Sequence, residues 1–185
     1  VNPEKLIVED LGEIREETIA LRKKYGFTRQ KILQFSIDLD NLYDRDNEEE
    51  NVLIFPGNHD CNTIYGWYKT LSDDHKWKLK EFLKKNECYE INVNIGIMQY
   101  LSRCKAKMPI IMVQDILGLD ENSRINIPGI ESNKNWSWKL IDFKDTDTLY
   151  ILGDVFDRGS KPLEIIDYIV AHKNIVLLKG NHEKM

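Results

Sequence analysis

Two sets of side chains in this sequence have the types and spacing to do chemistry. Glu9 and Asp60 each follow closely on an apolar, β-branched run, Lys5-Leu6-Ile7-Val8 and Val52-Leu53-Ile54-Phe55. Taken alone, an acidic residue at a strand end is more often a helix cap or a solvated loop residue. Both Glu9 and Asp60 would point into a shared face of a parallel barrel. Retaining glycosyl transfer needs one acid to protonate the leaving oxygen and carboxylates to stabilise an oxocarbenium-like transition state. The second set is Gly153-Asp154-Val155-Phe156-Asp157-Arg158-Gly159, followed by Gly180-Asn181-His182-Glu183. Its oxygen and nitrogen donors, imidazole and guanidinium would come from two neighbouring strand ends. Such groups hold a divalent metal pair and a phosphate.

The elements that must position these groups alternate along the chain. Apolar runs predict strands over residues 5–8, 31–35, 52–55 and 109–113. A helix carrying Ile14, Thr18, Leu21 and Tyr25 on one face closes at Gly26. A second starts at Ser72 with Trp77, Leu79, Phe82 and Leu83 as its apolar face, and a third carries Ile97, Met98, Leu101 and Cys104. A polar loop rich in Asp and Asn precedes Val52, and an irregular stretch runs from Asn122 to Trp138. Beyond it, residues 148–152 and 174–178 read as strands. Between them a helix opens at Pro162 with Leu163, Ile166, Ile169 and Val170 on one face. Strand–helix alternation implies parallel βα units, with polar sites at the strand C-termini. The expected fold class is α/β: a partial (β/α) barrel of about four βα units over residues 1–140, then a βαβ unit over 141–185. Glu9 and Asp60 are expected on adjacent barrel strands.

Composition narrows the field. The 185 residues carry 26 basic and 31 acidic side chains, a net charge of −5, with 42% hydrophobic residues. No basic block is present to track a phosphate backbone, so no nucleic-acid partner is expected. No apolar run of about 18 residues exists, so no membrane partner is expected. Cys61, Cys88 and Cys104 form no zinc or redox spacing, which fits a reduced, cytoplasmic setting. The chain starts at Val1 without an initiator Met, which points to a fragment. His75 and His172 are expected on helices without ligand partners. Lys76, Lys78, Lys80, Lys84 and Lys85 read as a solvated face. Trp67, Tyr68, Trp77 and Phe82 read as core.

Several strings then agree in order and spacing: Val8-Glu9-Asp10-Leu11-Gly12, Lys31-Ile32-Leu33-Gln34-Phe35, Gly57-Asn58-His59-Asp60-Cys61-Asn62-Thr63 with Gly66-Trp67, Gln114-Asp115-Ile116-Leu117-Gly118-Leu119, Arg124-Ile125-Asn126-Ile127-Pro128-Gly129 and Asn135-Trp136-Ser137-Trp138. Residues 5–140 resemble the C-terminal half of the 4-alpha-glucanotransferases, also called amylomaltases or disproportionating enzymes. The resemblance implies a retaining transfer of 1,4-α-glucan segments to glucose or oligosaccharide acceptors, without a cofactor. It matches Glu9 to the acid/base after the fifth barrel strand and Asp60 to the transition-state stabiliser after the seventh. It matches His59 to a sugar-contacting histidine, and puts Asn126 and Trp136 near the acceptor side of the cleft. Asn58, Cys61 and Asn62 stand where the family usually has Thr, Asn and Asp, and Thr28-Arg29-Gln30 where it has Pro-Gly-Met. The family's nucleophilic aspartate belongs to the fourth strand and has no counterpart here. Little or no activity of the isolated chain is therefore expected, and open sheet edges would favour self-association.

Residues 141–185 resemble the calcineurin-like metallophosphoesterases, in the serine/threonine phosphatase branch. That resemblance matches Asp154 and Asn181 to metal ligands and His182 to the general acid. It also matches Asp157 to the carboxylate orienting that acid and Arg158 to the phosphate clamp. It implies a Mn-, Fe- or Zn-type ion pair and a phosphoester substrate. The family's first Asp-x-His motif and its later metal histidines are missing, so incomplete metal binding is expected. Gly57-Asn58-His59-Asp60 imitates the same family's motif, but its partner string Asp40 to Arg45 lacks the glycines. The whole reads as two enzyme pieces joined near Leu140, whether by biology or by artefact.

Overall fold

The computed structural model describes residues 6–9, 15–45, 48–89, 91–140, 144, 146–151 and 162–177. The chain divides into two units, Val1–Trp138 and Lys139–Met185. In the first, strands β1 (Ile7–Val8), β2 (Thr28–Ile32), β5 (Val52–Phe55) and β6 (Met108–Pro109) form one sheet in the order β1-β2-β5-β6. Every pairing is parallel, with Ile7 opposite Thr28, Arg29 opposite Val52 and Leu53 opposite Met108. Parallel neighbours require crossover connections. Helix α1 (Glu16–Tyr25) links β1 to β2, while α3 (Ile64–Thr70), α4 (Asp73–Lys85) and α5 (Val93–Arg103) link β5 to β6. A short α6 (Val113–Ile116) and a 3-10 turn (Glu121–Ser123) follow.

The helix boundaries follow local chemistry. Gly26 caps α1 in the left-handed region at φ 67°, a conformation that costs glycine nothing. Ser72 Oγ accepts the His75 N–H at 3.1 Å to open α4. Asp73 and Asp74 lie in its first turn and Lys84 and Lys85 in its last, matching the helix dipole. Asn92 caps α5 through the Asn94 and Ile95 amides. Leu79, Phe82 and Leu83 of α4 interlock with Ile97, Tyr100 and Leu101 of α5 over Leu33 and Ile54. Each such burial is worth about 1.5–3 kcal/mol. Gly96 is required for the approach of α5 to the preceding loop, because a Cβ there would stand 2.1 Å from the Tyr89 carbonyl oxygen.

Several expectations are corrected. The second strand is Thr28–Ile32, and Leu33–Ser36 turns helical (α2) instead of continuing to residue 35. Arg29 and Lys31 are buried in that strand because both are paired. Arg29 Nε meets Glu49 at 2.8 Å, and Lys31 Nζ meets Asp44 at 2.8 Å. Burial works to raise the Glu49 carboxyl, but the Arg22 and Arg29 guanidiniums outweigh it and hold Glu49 below the usual carboxylate range. Asp44 also accepts from Tyr100 Oη at 2.8 Å and from Ser36 Oγ. The polar loop contains a small antiparallel pair, β3 (Ile37–Asp38) with β4 (Tyr43–Asp44). The fourth strand is Met108–Pro109 rather than 109–113. Pro109 has no N–H to extend a ladder, and Val113 onward is helical.

Two helix faces also differ. On α1, Thr18, Leu21 and Tyr25 are exposed and Arg22 is buried, because Arg22 turns in to Glu49; Ile14 lies outside the described residues. Trp77 is 59% exposed, whereas Trp67, Tyr68 and Phe82 pack in or against the core. His75 sits 3.3 Å from Asp40. Among the described residues, no helix is long and apolar enough to cross a membrane.

In the second unit β7 (Leu149–Ile151) and β8 (Ile175–Leu177) pair in parallel, joined through α7 (Pro162–Ala171). Ile169 and Ile175 are buried, but Val170 is 80% exposed and does not share the buried face. His172 follows the helix and stacks on Tyr168 at 3.9 Å between ring centroids.

Candidate active site

The connection between β5 and α3 carries His59 and Asp60, and its shape is set from several sides. At Gly57 a Cβ would stand 2.7 Å from both Cys61 Cβ and Gln34 Nε2, so only glycine permits the close approach of α2. Gln34 Nε2 donates to the Asn62 carbonyl at 2.8 Å. The buried Asn58 side chain accepts from the Asp60 N–H at 3.0 Å and from the Cys61 thiol at 3.2 Å. This is a side-chain turn that closes the loop on itself. Burial raises the Cys61 thiol above its ordinary value, which keeps it an inert donor. Thr63 caps α3 by accepting the Gly66 N–H at 3.0 Å, and Asp115 Oδ1 accepts the Ile64 N–H at 2.6 Å.

The irregular stretch after the 3-10 turn closes over the same loop. Arg124 Nη2 donates to the Asp60 carbonyl at 2.9 Å, and the Asn126 N–H donates to the His59 carbonyl at 3.1 Å. Asn126 Nδ2 donates to Asp60 Oδ1 at 2.7 Å, while His59 Nε2 lies 3.4 Å from Asp60 Oδ2. Asp60 Oδ1 is thus held by Asn126, and Oδ2 lies near the His59 ring, although the side chain is 40% exposed. A carboxylate fixed by a donor and open on one side is preorganised to face developing positive charge. The Trp136 ring lies 5.3 Å from that of His59, tilted by 35°. Its backbone is at φ 60°, which is strained for a bulky side chain. The Trp136 N–H donates to the Ile125 carbonyl at 2.6 Å, and the Asn135 side chain spans to Ile127 and Ile130. The indole is 59% exposed, so it is not used in packing and presents an open aromatic face.

The structure therefore brings His59, Asp60, Asn126 and Trp136 together. Glu9 stands exposed at the end of β1. Because β2 lies between β1 and β5, Glu9 and Asp60 are not on adjacent strands; two inter-strand steps amount to roughly 10 Å. Arg124, Gln34 and Asp115 were not among the expected site residues. All three occur in the strings that carry the resemblance, but nothing in a single sequence shows that their side chains turn back onto the 57–64 loop. Asp154, Asp157, Arg158, Asn181 and His182 lie outside the described residues. Among the described residues, Asp40, Asp74 and His75 offer three ligand atoms within 4.8 Å of one another. Lys78 Nζ already sits 2.6 Å from Asp40 and 2.8 Å from Asp74, so an ammonium fills the place of a cation.

Comparison with known proteins bears on the family of the chain. The 4-alpha-glucanotransferase family model matches residues 2–144. A chloroplastic/amyloplastic 4-alpha-glucanotransferase of Solanum tuberosum is 35% identical over 78% of this chain and 25% of its own length. The 4-alpha-glucanotransferase of Clostridium butyricum is 37% identical over 75% of this chain and 28% of its own. Among solved structures, the amylomaltase of Streptococcus agalactiae in complex with acarbose matches 74% of this chain and 28% of its own, with a TM-score of 0.64 and 26% identity. The chain thus spans about a quarter of the length of these relatives. A calcineurin-like phosphoesterase model matches the shorter stretch 108–185. The four-stranded parallel sheet with its helical crossovers is consistent with part of a (β/α) barrel, and a structural neighbour is an amylomaltase. The chain belongs to the 4-alpha-glucanotransferase family. The glucanotransferases of that family call for no cofactor.

Proposed function

We propose that residues 1–140 supply the acid/base and stabilising side of a 4-alpha-glucanotransferase site acting on α-glucans or malto-oligosaccharides. In this reading Glu9 protonates the leaving glycosidic oxygen and later deprotonates the acceptor hydroxyl. Asp60 stabilises the oxocarbenium-like transition state. Asn126 fixes Asp60 Oδ1, His59 stands beside Oδ2, and the Trp136 indole lies under an acceptor-side sugar. The observation that carries the reading is the half-exposed Asp60 carboxylate, held at Oδ1 by Asn126 and next to a His59 ring that lies 5.3 Å from the exposed Trp136 indole. The isolated chain is expected to release no glucose from maltotriose. Joined to the upstream part of the Clostridium butyricum relative, it is expected to release glucose. Glu9→Gln or Asp60→Asn would each lower that rate about 10³-fold, the scale of an acid/base or charge-stabilising group. Rates unchanged by both substitutions would refute the assignment.

The calcineurin-like match favours a second reading for residues 141–185. There Asp154 and Asn181 would hold a divalent cation, which polarises a phosphoester. Arg158 would clamp the phosphate, and His182, oriented by Asp157, would protonate the leaving oxygen. Manganese-stimulated hydrolysis of nitrophenyl phosphate, lost in His182→Asn, is the expected result. Hydrolysis equal in the two chains would contradict it.

A further inference from the structure

Asp115 is the most completely buried carboxylate near the site and belongs to none of the roles assigned above. It is 0% exposed. Its Oδ1 takes the Ile64 N–H at 2.6 Å, and its Oδ2 has no hydrogen-bond partner among the described residues. The groups facing it are the Ile64 amide of α3, the Cys61 thiol of the loop and, on its main-chain carbonyl, Asn94 Nδ2 of α5 at 2.9 Å. Among the described residues, no cation pairs with it. Burial pushes its carboxyl up to about 6, against the pull of the Ile64 amide. A neutral side chain could accept the same N–H without that cost, so a carboxylate held there needs a reason beyond packing.

The reason lies in the loop that Asp115 closes. The 57–64 segment is held at Asn62 by Gln34, at Asp60 by Arg124, at His59 by Asn126 and at Ile64 by Asp115. The first three bonds come from α2 and from the irregular stretch. The last comes from α6 and fixes the end at which α3 begins, four residues from Asp60. We propose that Asp115 is a positioning residue for the Asp60 carboxylate, acting through the Ile64 N–H to set where His59 and Asp60 stand against Asn126. The proposal rests on the reading of Asp60 as a site residue and extends that site to α6. Protonation of Asp115 weakens its hold on the amide and turns an acceptor oxygen into a donor, so the placement of Asp60 responds to the charge on Asp115.

The test follows carboxyl ¹³C and amide ¹⁵N resonances of the full chain between pH 4.5 and 7.5 in the wild type, Asp115→Asn and Asp115→Ala. The Asn variant retains an oxygen for the Ile64 N–H and has no carboxyl proton to exchange. In the wild type, the Asp60 carboxyl and Asn126 side-chain amide are expected to shift in step with the Asp115 carboxyl. In Asp115→Asn that component disappears while both resonances keep positions close to those of the wild type at pH 7.5. Any pH effect that does not come from Asp115 is common to both chains and drops out of the comparison. Asp115→Ala is expected to displace both resonances at every pH. If that variant fails to fold, the wild-type and Asn chains decide alone. Identical pH dependence of the Asp60 and Asn126 resonances in those two chains would overturn the proposal. Acarbose added to the same samples separates the two ideas: failure to bind with the coupling intact counts against the glucan reading of Asp60 and not against its placement by Asp115.

Discussion

Asp60 and Asp115 show how environment gives two carboxylates on one loop system different work. Asp60 is half-exposed, with Oδ1 held by Asn126 and Oδ2 near the His59 ring. Asp115 is buried with one oxygen unsatisfied among the described residues and a carboxyl pushed up to about 6. A carboxyl raised in the folded state gives stability that is full below its unfolded value, near 3.8, and is lost as pH rises through about 6. That shift corresponds to a loss on the order of 3 kcal/mol between pH 4 and pH 7. Asp115→Asn should remove this part of the pH dependence, and by urea unfolding it should gain on the wild type as pH rises from 4 to 7. A wild-type-minus-variant difference that stays flat over that range would contradict the burial argument.

The strands and helices show what periodicity can and cannot reveal. The start of α4 at Ser72, the end of α1 at Gly26 and the strand at Val52–Phe55 follow from caps and apolar runs, and the structure has them there. Strand β2 defeats the same reasoning, because Arg29 and Lys31 look like solvent-facing residues. Their partners Glu49 and Asp44 are 20 and 13 residues away, a separation that local pattern does not encode. Leu21 and Trp77 fail in the opposite sense: helical spacing places them on an apolar face, yet both are exposed. The Lys31–Asp44 pair is 3% and 0% exposed. Lys31→Met would leave Asp44 buried with only the hydroxyls of Tyr100 and Ser36, at a cost of about 3–5 kcal/mol. Replacing Asp44 by Leu in the same chain should recover much of that loss in urea unfolding. A single variant as stable as the wild type would show that the pair holds nothing.

At the scale of the molecule, the strand ends that carry Glu9 and Asp60 were legible where the contacts around them were not. Apolar runs followed at once by Glu9 and by Gly57-Asn58-His59-Asp60 mark strand ends, and parallel order puts strand ends on one rim. The grip on Asp60 by Asn126 and Arg124 crosses more than sixty residues, so it becomes visible only once the 124–136 stretch folds back over the loop. The central claim is that this rim binds an α-glucan. Its most direct test is titration of the ¹⁵N-labelled chain with acarbose, the ligand of the Streptococcus agalactiae amylomaltase structure. The amides of His59 and Asp60, the Asn126 side-chain amide and the Trp136 indole N–H should shift together and saturate. Trp136→Ala should weaken binding about tenfold, or about 1.4 kcal/mol. No shift at these four positions, or saturable shifts confined to residues away from the 57–64 and 124–136 segments, would contradict the account.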